Sequence, residues 1–318
     1  MRIMKIMQGH TYLAVFVAMV VMSSCSDGSP LDPSDADGMH AIVVSSNTRA
    51  GSGEYYFDIN DNIWFWANKT DNTSYIKAWK LTAGSSGETS GDTHYWPYDG
   101  GNLNAYALYG NFGSSISENT TDYSATTITH TVLADQTSDA NRKTSDLLYA
   151  SQLNCAHPSA ISLTFSHLLT KVSVVIDLSK SEGFSAYDLS NAEVKINNVY
   201  PSATVSLANG KATASGTKQN ITIAKFTQQP SGTSISAGSA IIPVQALGGS
   251  TLITVVSKVN SKERRFTFAP TTSFTPNKDY EYTYTISIKN GKISMSGITV
   301  GEFTSNSSSV QLPYYVQQ

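Results

Sequence analysis

The chain has 318 residues, 40% of them hydrophobic and only 14% charged, with a formal net charge of −3. That is enough apolar material for one large or two medium domains. The sparse and slightly acidic charge excludes the basic footprint of a nucleic-acid partner.

The first residues are Met1-Arg2-Ile3-Met4-Lys5, then an apolar stretch over residues 12–22, then Met22-Ser23-Ser24-Cys25. A basic start, an apolar core of roughly ten residues and a small-residue exit describe a secretory leader, too short to span a membrane. A cysteine after two serines resembles the invariant cysteine of a bacterial lipobox, with Met22 where leucine is usual. Residues 1–24 are therefore expected to be removed, leaving Cys25 acylated as the first mature residue and holding the body to the outer membrane. Residues 25–38 continue acidic and rich in Ser, Pro and Gly. Such a segment cannot bury enough surface to fold and reads as a flexible tether. Cys25 and Cys155 are the only cysteines. With Cys25 lipidated, no intramolecular disulfide supports the body.

From residue 39 onward the pattern is almost all β. Seventeen Tyr, eleven Phe and abundant Thr, Val and Ile favour strands, with turn residues between them. Strands are expected at 55–59, 62–66, 75–81, 103–112, 127–133, 160–177, 192–199, 203–207, 240–244, 252–258, 264–268 and 280–289. Asn209-Gly210 and Asn290-Gly291 suit two-residue hairpin turns, where both central residues take positive φ. Short helical turns fit near 138–147 and 181–189. Many short strands imply β-sandwiches or partly closed barrels. All four tryptophans precede residue 100, and the chain after residue 170 is richer in Val, Ile and Lys. That shift suggests a domain boundary near 168–171.

Motifs of enzyme chemistry are missing: there is no H-E-x-x-H, G-x-S-x-G, Walker or dinucleotide-binding glycine pattern. The six histidines are scattered without metal-ligand spacing. No enzymatic activity, cofactor or metal is expected. Asp58, Asp61 and Asn62 suit a strand-to-strand turn better than a cation site. His167 reads as a hydrogen-bonded structural histidine. Trp64 and Trp66 fall on one face of a strand, with Tyr75 and Trp79 on the next. This cluster suits a sandwich core or a glycan-stacking platform.

At the far end, Val310, Leu312, Tyr314 and Val316 alternate with Gln311, Pro313, Tyr315 and Gln317 after the linker 304–309. Residues 310–316 form a period-two strand of roughly 20 Å, at about 3.3 Å per residue. It can add to an open sheet edge of another subunit or fold back on its own domain.

Asp146-Leu147-Leu148-Tyr149-Ala150, followed by Phe165-Ser166-His167-Leu168-Leu169-Thr170-Lys171-Val172, resembles the central signature of the fimbrillins, or type V pilins. That family often shows D-L-L-x-A and then F-x-H-x-L-[ST]-K-[LV]. Asn47-Thr48-Arg49-Ala50 before an aromatic stretch resembles its usual start. The resemblance implies two tandem β-sandwich, transthyretin-like domains, placed here at 39–170 and 171–318. It implies an arginine-specific surface protease cutting at Arg49-Ala50, releasing residues 39–49 from a groove. A strand from another fimbrial subunit then fills that groove. Tip and accessory subunits share the signature, so stalk subunit and tip or accessory adhesin both fit, with a host protein or glycan as further partner. A surface glycan-binding lipoprotein using Trp64 and Trp66 is the alternative.

Overall fold

A computed structural model describes residues 39–48, 57–260 and 262–303. The strands in chain order are β1 (Val44–Thr48), β2 (Asn62–Lys69), β3 (Ser74–Ala83), β4 (Thr89–Ser90), β5 (Leu103–Tyr109) and β6 (Thr129–Thr131). One short helix, α1 (Asp139–Thr144), precedes β7 (Leu148–Cys155), β8 (Ile161–His167) and β9 (Thr170–Asp177). Then come β10 (Glu193–Val199), β11 (Ser202–Ser206), β12 (Lys211–Ser215), β13 (Gln219–Lys225) and β14 (Ser234–Ile242). The last are β15 (Ile253–Val259), β16 (Lys262–Phe268), β17 (Tyr280–Lys289) and β18 (Lys292–Glu302). The protein is all-β, as its composition requires.

A seven-stranded sheet runs β1-β8-β7-β5-β2-β3-β4. Two four-stranded sheets, β13-β10-β15-β16 and β14-β9-β17-β18, and a three-stranded sheet, β12-β11-β6, complete the described fold. One face of the seven-stranded sheet encloses a core of Ile63, Phe65, Leu81, Leu103, Leu163 and Phe165, among others. Its other face contributes Trp66, Tyr106, Leu108 and Leu147 to a second core, continuous with Val172, Val174, Ile196, Tyr284 and Ile286.

Several local features depart from the sequence reading. The expected strand 160–177 is two strands in two sheets. Leu168 and Leu169 are 1% and 0% exposed. Two consecutive buried residues break strand alternation, because there the chain crosses from one core to the other. Residues 57–59 are not a strand: Asp58 and Asp61 close a turn instead. β4, β7, β12, β13 and β18 carry too little apolar alternation to be found by period alone.

Of the two expected hairpins, Asn290 (φ 49°) and Gly291 (φ 80°) form the predicted turn between β17 and β18. In the other, only Gly210 has positive φ (57°), in a four-residue turn whose Leu207 is buried. Any Cβ on Gly210 would lie 2.4 Å from the Tyr149 ring, so glycine is required there by contact as well as by conformation.

Candidate functional site

The segment around β1 is the candidate site, because of where it sits between two sheet edges. It pairs in parallel with β8, Val44 opposite Ile161 through Thr48 opposite Phe165. On its other side, the segment from His40 to Ser46 is hydrogen-bonded to residues 87–96. Ile42 N donates to His94 O (2.8 Å), Trp96 N to His40 O (2.8 Å) and Ser46 N to Gly87 O (2.7 Å). Thr89 Oγ1 donates to Val44 O at 2.7 Å. The β1 segment therefore bridges β8 and the chain around β4, the two ends of the seven-stranded sheet, and closes the sheet on itself.

Its side chains alternate as a strand between core and solvent must. Ile42, Val44 and Ser46 are 6%, 4% and 2% exposed, whereas Val43 is 57% exposed. Ile42 and Val44 belong to the core inside the sheet. Around the segment's start, His40 and Trp96 both meet the His157 ring edge-on, with centroids 5.5 Å apart in each case. Taking β1 away would bare two sheet edges and two apolar slots at once.

The sequence signature has a structural meaning. Asp146 stands just before β7 and His167 ends β8, and antiparallel pairing sets Leu148 opposite His167. His167 Nδ1 lies 2.8 and 3.0 Å from the two Asp146 carboxylate oxygens. Burial disfavours the charged imidazole, but the Asp146 carboxylate, with Asp279 adding to it, outweighs burial and raises the His167 pKa. The ring of Phe303 stacks on His167, centroids 3.9 Å apart, and Lys171 Nζ sits 5.9 Å over the same Phe303 ring. Phe303 N also donates to Asp279 O. The point from which the chain continues toward residues 304–318 is thus docked at the end of β8, beside the C-terminal end of β1.

His130 is a second buried histidine. Its Nδ1 accepts from Asn111 N and its Nε2 donates to Ser145 O, each at 3.0 Å. Burial pushes its pKa down to about 4, so the ring is neutral at ordinary pH.

Other residues singled out from sequence take their places as follows. Trp66 is 0% exposed, and its indole donates to Thr121 O at 2.8 Å. Trp64 is half-buried against the same core. Trp79 does not join them. Phe65 pairs with Trp79 and Ala67 with Ile76, so β3 carries an extra residue there, with Ala78 at φ 38°. This bulge turns Trp79 to the opposite face of the sheet, edge-on to Phe65. Asp58 and Asp61 both face Lys143, Asp61 at 2.8 Å. Among the described residues no cluster of His, Cys, Asp or Glu could hold a metal ion. Cys25, Arg49, Ala50, Val310, Leu312, Tyr314 and Val316 lie outside the described residues.

The body is all-β, and one bridging strand closes its largest sheet. A fimbrillin-like family model matches residues 48–303, and the chain belongs to that family. The family is one of structural pilins, not enzymes. No curated protein matches the chain. Among solved structures, a candidate cell adhesion protein from Bacteroides uniformis superposes with a TM-score of 0.60 at 21% identity. The match covers 85% of this chain and 100% of that one. Another from Bacteroides ovatus gives a TM-score of 0.60 at 14% identity, covering 85% and 99%. Both likenesses are of fold.

Proposed function

We propose that this fimbrillin-like chain is a structural or accessory subunit of a cell-surface fimbria, carried to the outer membrane by lipid on Cys25 and assembled by strand exchange. The observation that carries the reading is β1. It is a short strand that, with Ile42 just before it, buries two apolar side chains, is hydrogen-bonded on both sides, and ends one residue before Arg49. Cleavage between Arg49 and Ala50 by an arginine-specific surface protease turns it into a separable piece. An emptied slot is an exposed edge on each side, which a second strand covers with gain of main-chain hydrogen bonds. Residues 310–316 are this chain's donor strand for a neighbouring subunit. The division of the body near residue 170 belongs to the same reading. Every strand from β1 to β8 except β6 lies in the seven-stranded sheet, while β6 and the second core tie the halves together.

The test uses the native host. Mass spectrometry of the mature protein should find acyl-modified Cys25 before maturation and a new N-terminus at Ala50 after it. Arg49→Ala should leave a folded body that stays out of fibres. Deleting residues 305–318 should leave a folded subunit unable to donate. Fibres that still incorporate the Arg49→Ala chain would sink the protease-triggered route.

A further inference from the structure

The slot under β1 also has a selectivity, which rests on the strand-exchange reading. Three inward positions, two residues apart, are filled by Ile42, Val44 and Ser46. The last is small: Ser46 is 2% exposed, and its hydroxyl reaches only to Gly87 O at 3.5 Å. The strand in the slot is paired along both edges, to β8 on one side and to residues 87–96 on the other. An occupant therefore needs two aliphatic side chains and one small one at alternate positions. It also needs backbone donors available toward both walls.

The chain's own C-terminal strand does not meet these terms. Its apolar face is Val310, Leu312, Tyr314 and Val316. Any three successive members of that face include Tyr314, whichever way the strand runs. A tyrosine would then stand where Ile42, Val44 or Ser46 stands, and overpacking of a formed core is destabilising. Pro313 lies between Leu312 and Tyr314 in every such alignment. It has no N–H, and in a strand paired on both sides proline removes a ladder bond. Shifting by one residue offers Gln311, Pro313 and Tyr315 instead, which is worse.

We infer that the emptied slot is filled by a strand of a different subunit, with aliphatic, aliphatic and small side chains at alternate positions, and that it rejects a second copy's residues 310–316. A subunit of this kind cannot build a homopolymer by this joint. It takes a place between unlike neighbours.

Peptide competition decides it. The full chain, with residues 49–55 replaced by a site-specific protease sequence, is cut there, freed of its N-terminal fragment and incubated with a fluorescent peptide of residues 40–48. Unlabelled competitors are residues 40–48, residues 308–318, and residues 308–318 with Pro313→Thr and Tyr314→Ser. The expected order is strong competition by 40–48, at least tenfold weaker competition by 308–318, and recovery of most of that gap by the doubly substituted peptide. Equal competition by 40–48 and 308–318 would overturn the selectivity while leaving strand exchange standing. Failure of the labelled 40–48 peptide to enter the cut protein would overturn the exchange reading, and this proposal with it.

Discussion

Removing the two inward apolar side chains of the β1 segment, Ile42→Ala just before the strand with Val44→Ala in it, should detach residues 40–48 while the rest of the body stays folded. The substitutions delete about five buried carbon atoms, three from Ile42 and two from Val44. At about 0.8 kcal/mol per buried carbon group this is roughly 4 kcal/mol, with the residual cavity adding to it. Only β1 and its two walls lose contacts directly, so the cost falls on local opening rather than on the whole fold. At about 1.4 kcal/mol per factor of ten, the open population should rise roughly a thousandfold. Hydrogen exchange reads this directly, because the amides of residue 42 and Ser46 are bonded to His94 O and Gly87 O. Their protection should fall by up to that factor while amides of β9 and β17 keep theirs. Val43→Ala, at a position 57% exposed, should change nothing. If protection of Ser46 and of β9 falls together in the double variant, β1 is not a separable unit, and the reasoning fails.

Trp66→Ala should cost about 3–5 kcal/mol, since the side chain is fully buried and its hydrogen bond to Thr121 O is lost. Trp64→Ala, half-buried, should cost less in the same denaturant titration. His167 and His130 should give opposite pH signatures. The folded pKa of His167 is raised, so its contribution is full below the unfolded value near 6.5 and is lost as pH rises through the folded value. Asp146→Asn should lower the His167 midpoint seen by NMR and loosen Phe303. The folded pKa of His130 is depressed to about 4, so its contribution is full above 6.5 and is lost as pH falls toward 4. That loss amounts to roughly 3 kcal/mol at about 1.4 kcal/mol per pKa unit. His130→Phe should flatten that acid limb in denaturant titrations. Gly238→Ala should destabilise by at least about 1–3 kcal/mol: Gly238 has φ 85° at the bulge in β14, and a Cβ there would lie 2.3 Å from Ile223 O.

Much of this protein is written locally in its sequence, and some is not. Strand composition, the turn at Asn290-Gly291 and the alternation through Tyr282, Tyr284, Ile286 and Ile288 are local properties, set by backbone sterics and a period of two. The all-β class follows from them. The signature around Asp146 and His167 is equally legible as a pattern, but its role is not. Asp146 and His167, 21 residues apart, meet within hydrogen-bond distance only because β7 and β8 pair in one register, and Phe303 arrives there from much later in the chain. The break at Leu168-Leu169 reads as one long strand until the structure shows Phe165 in one core and both leucines in the other. Trp79 keeps the spacing of a partner for Tyr75, yet the bulge at Ala78 turns it to the other face. Above all, the run Ala41-Ile42-Val43-Val44 has strand-forming composition by itself, but propensity does not say what a strand closes. Only the tertiary structure brings β8 and residues 87–96 to either side of it, because hydrogen bonding across a sheet depends on which edges meet in space.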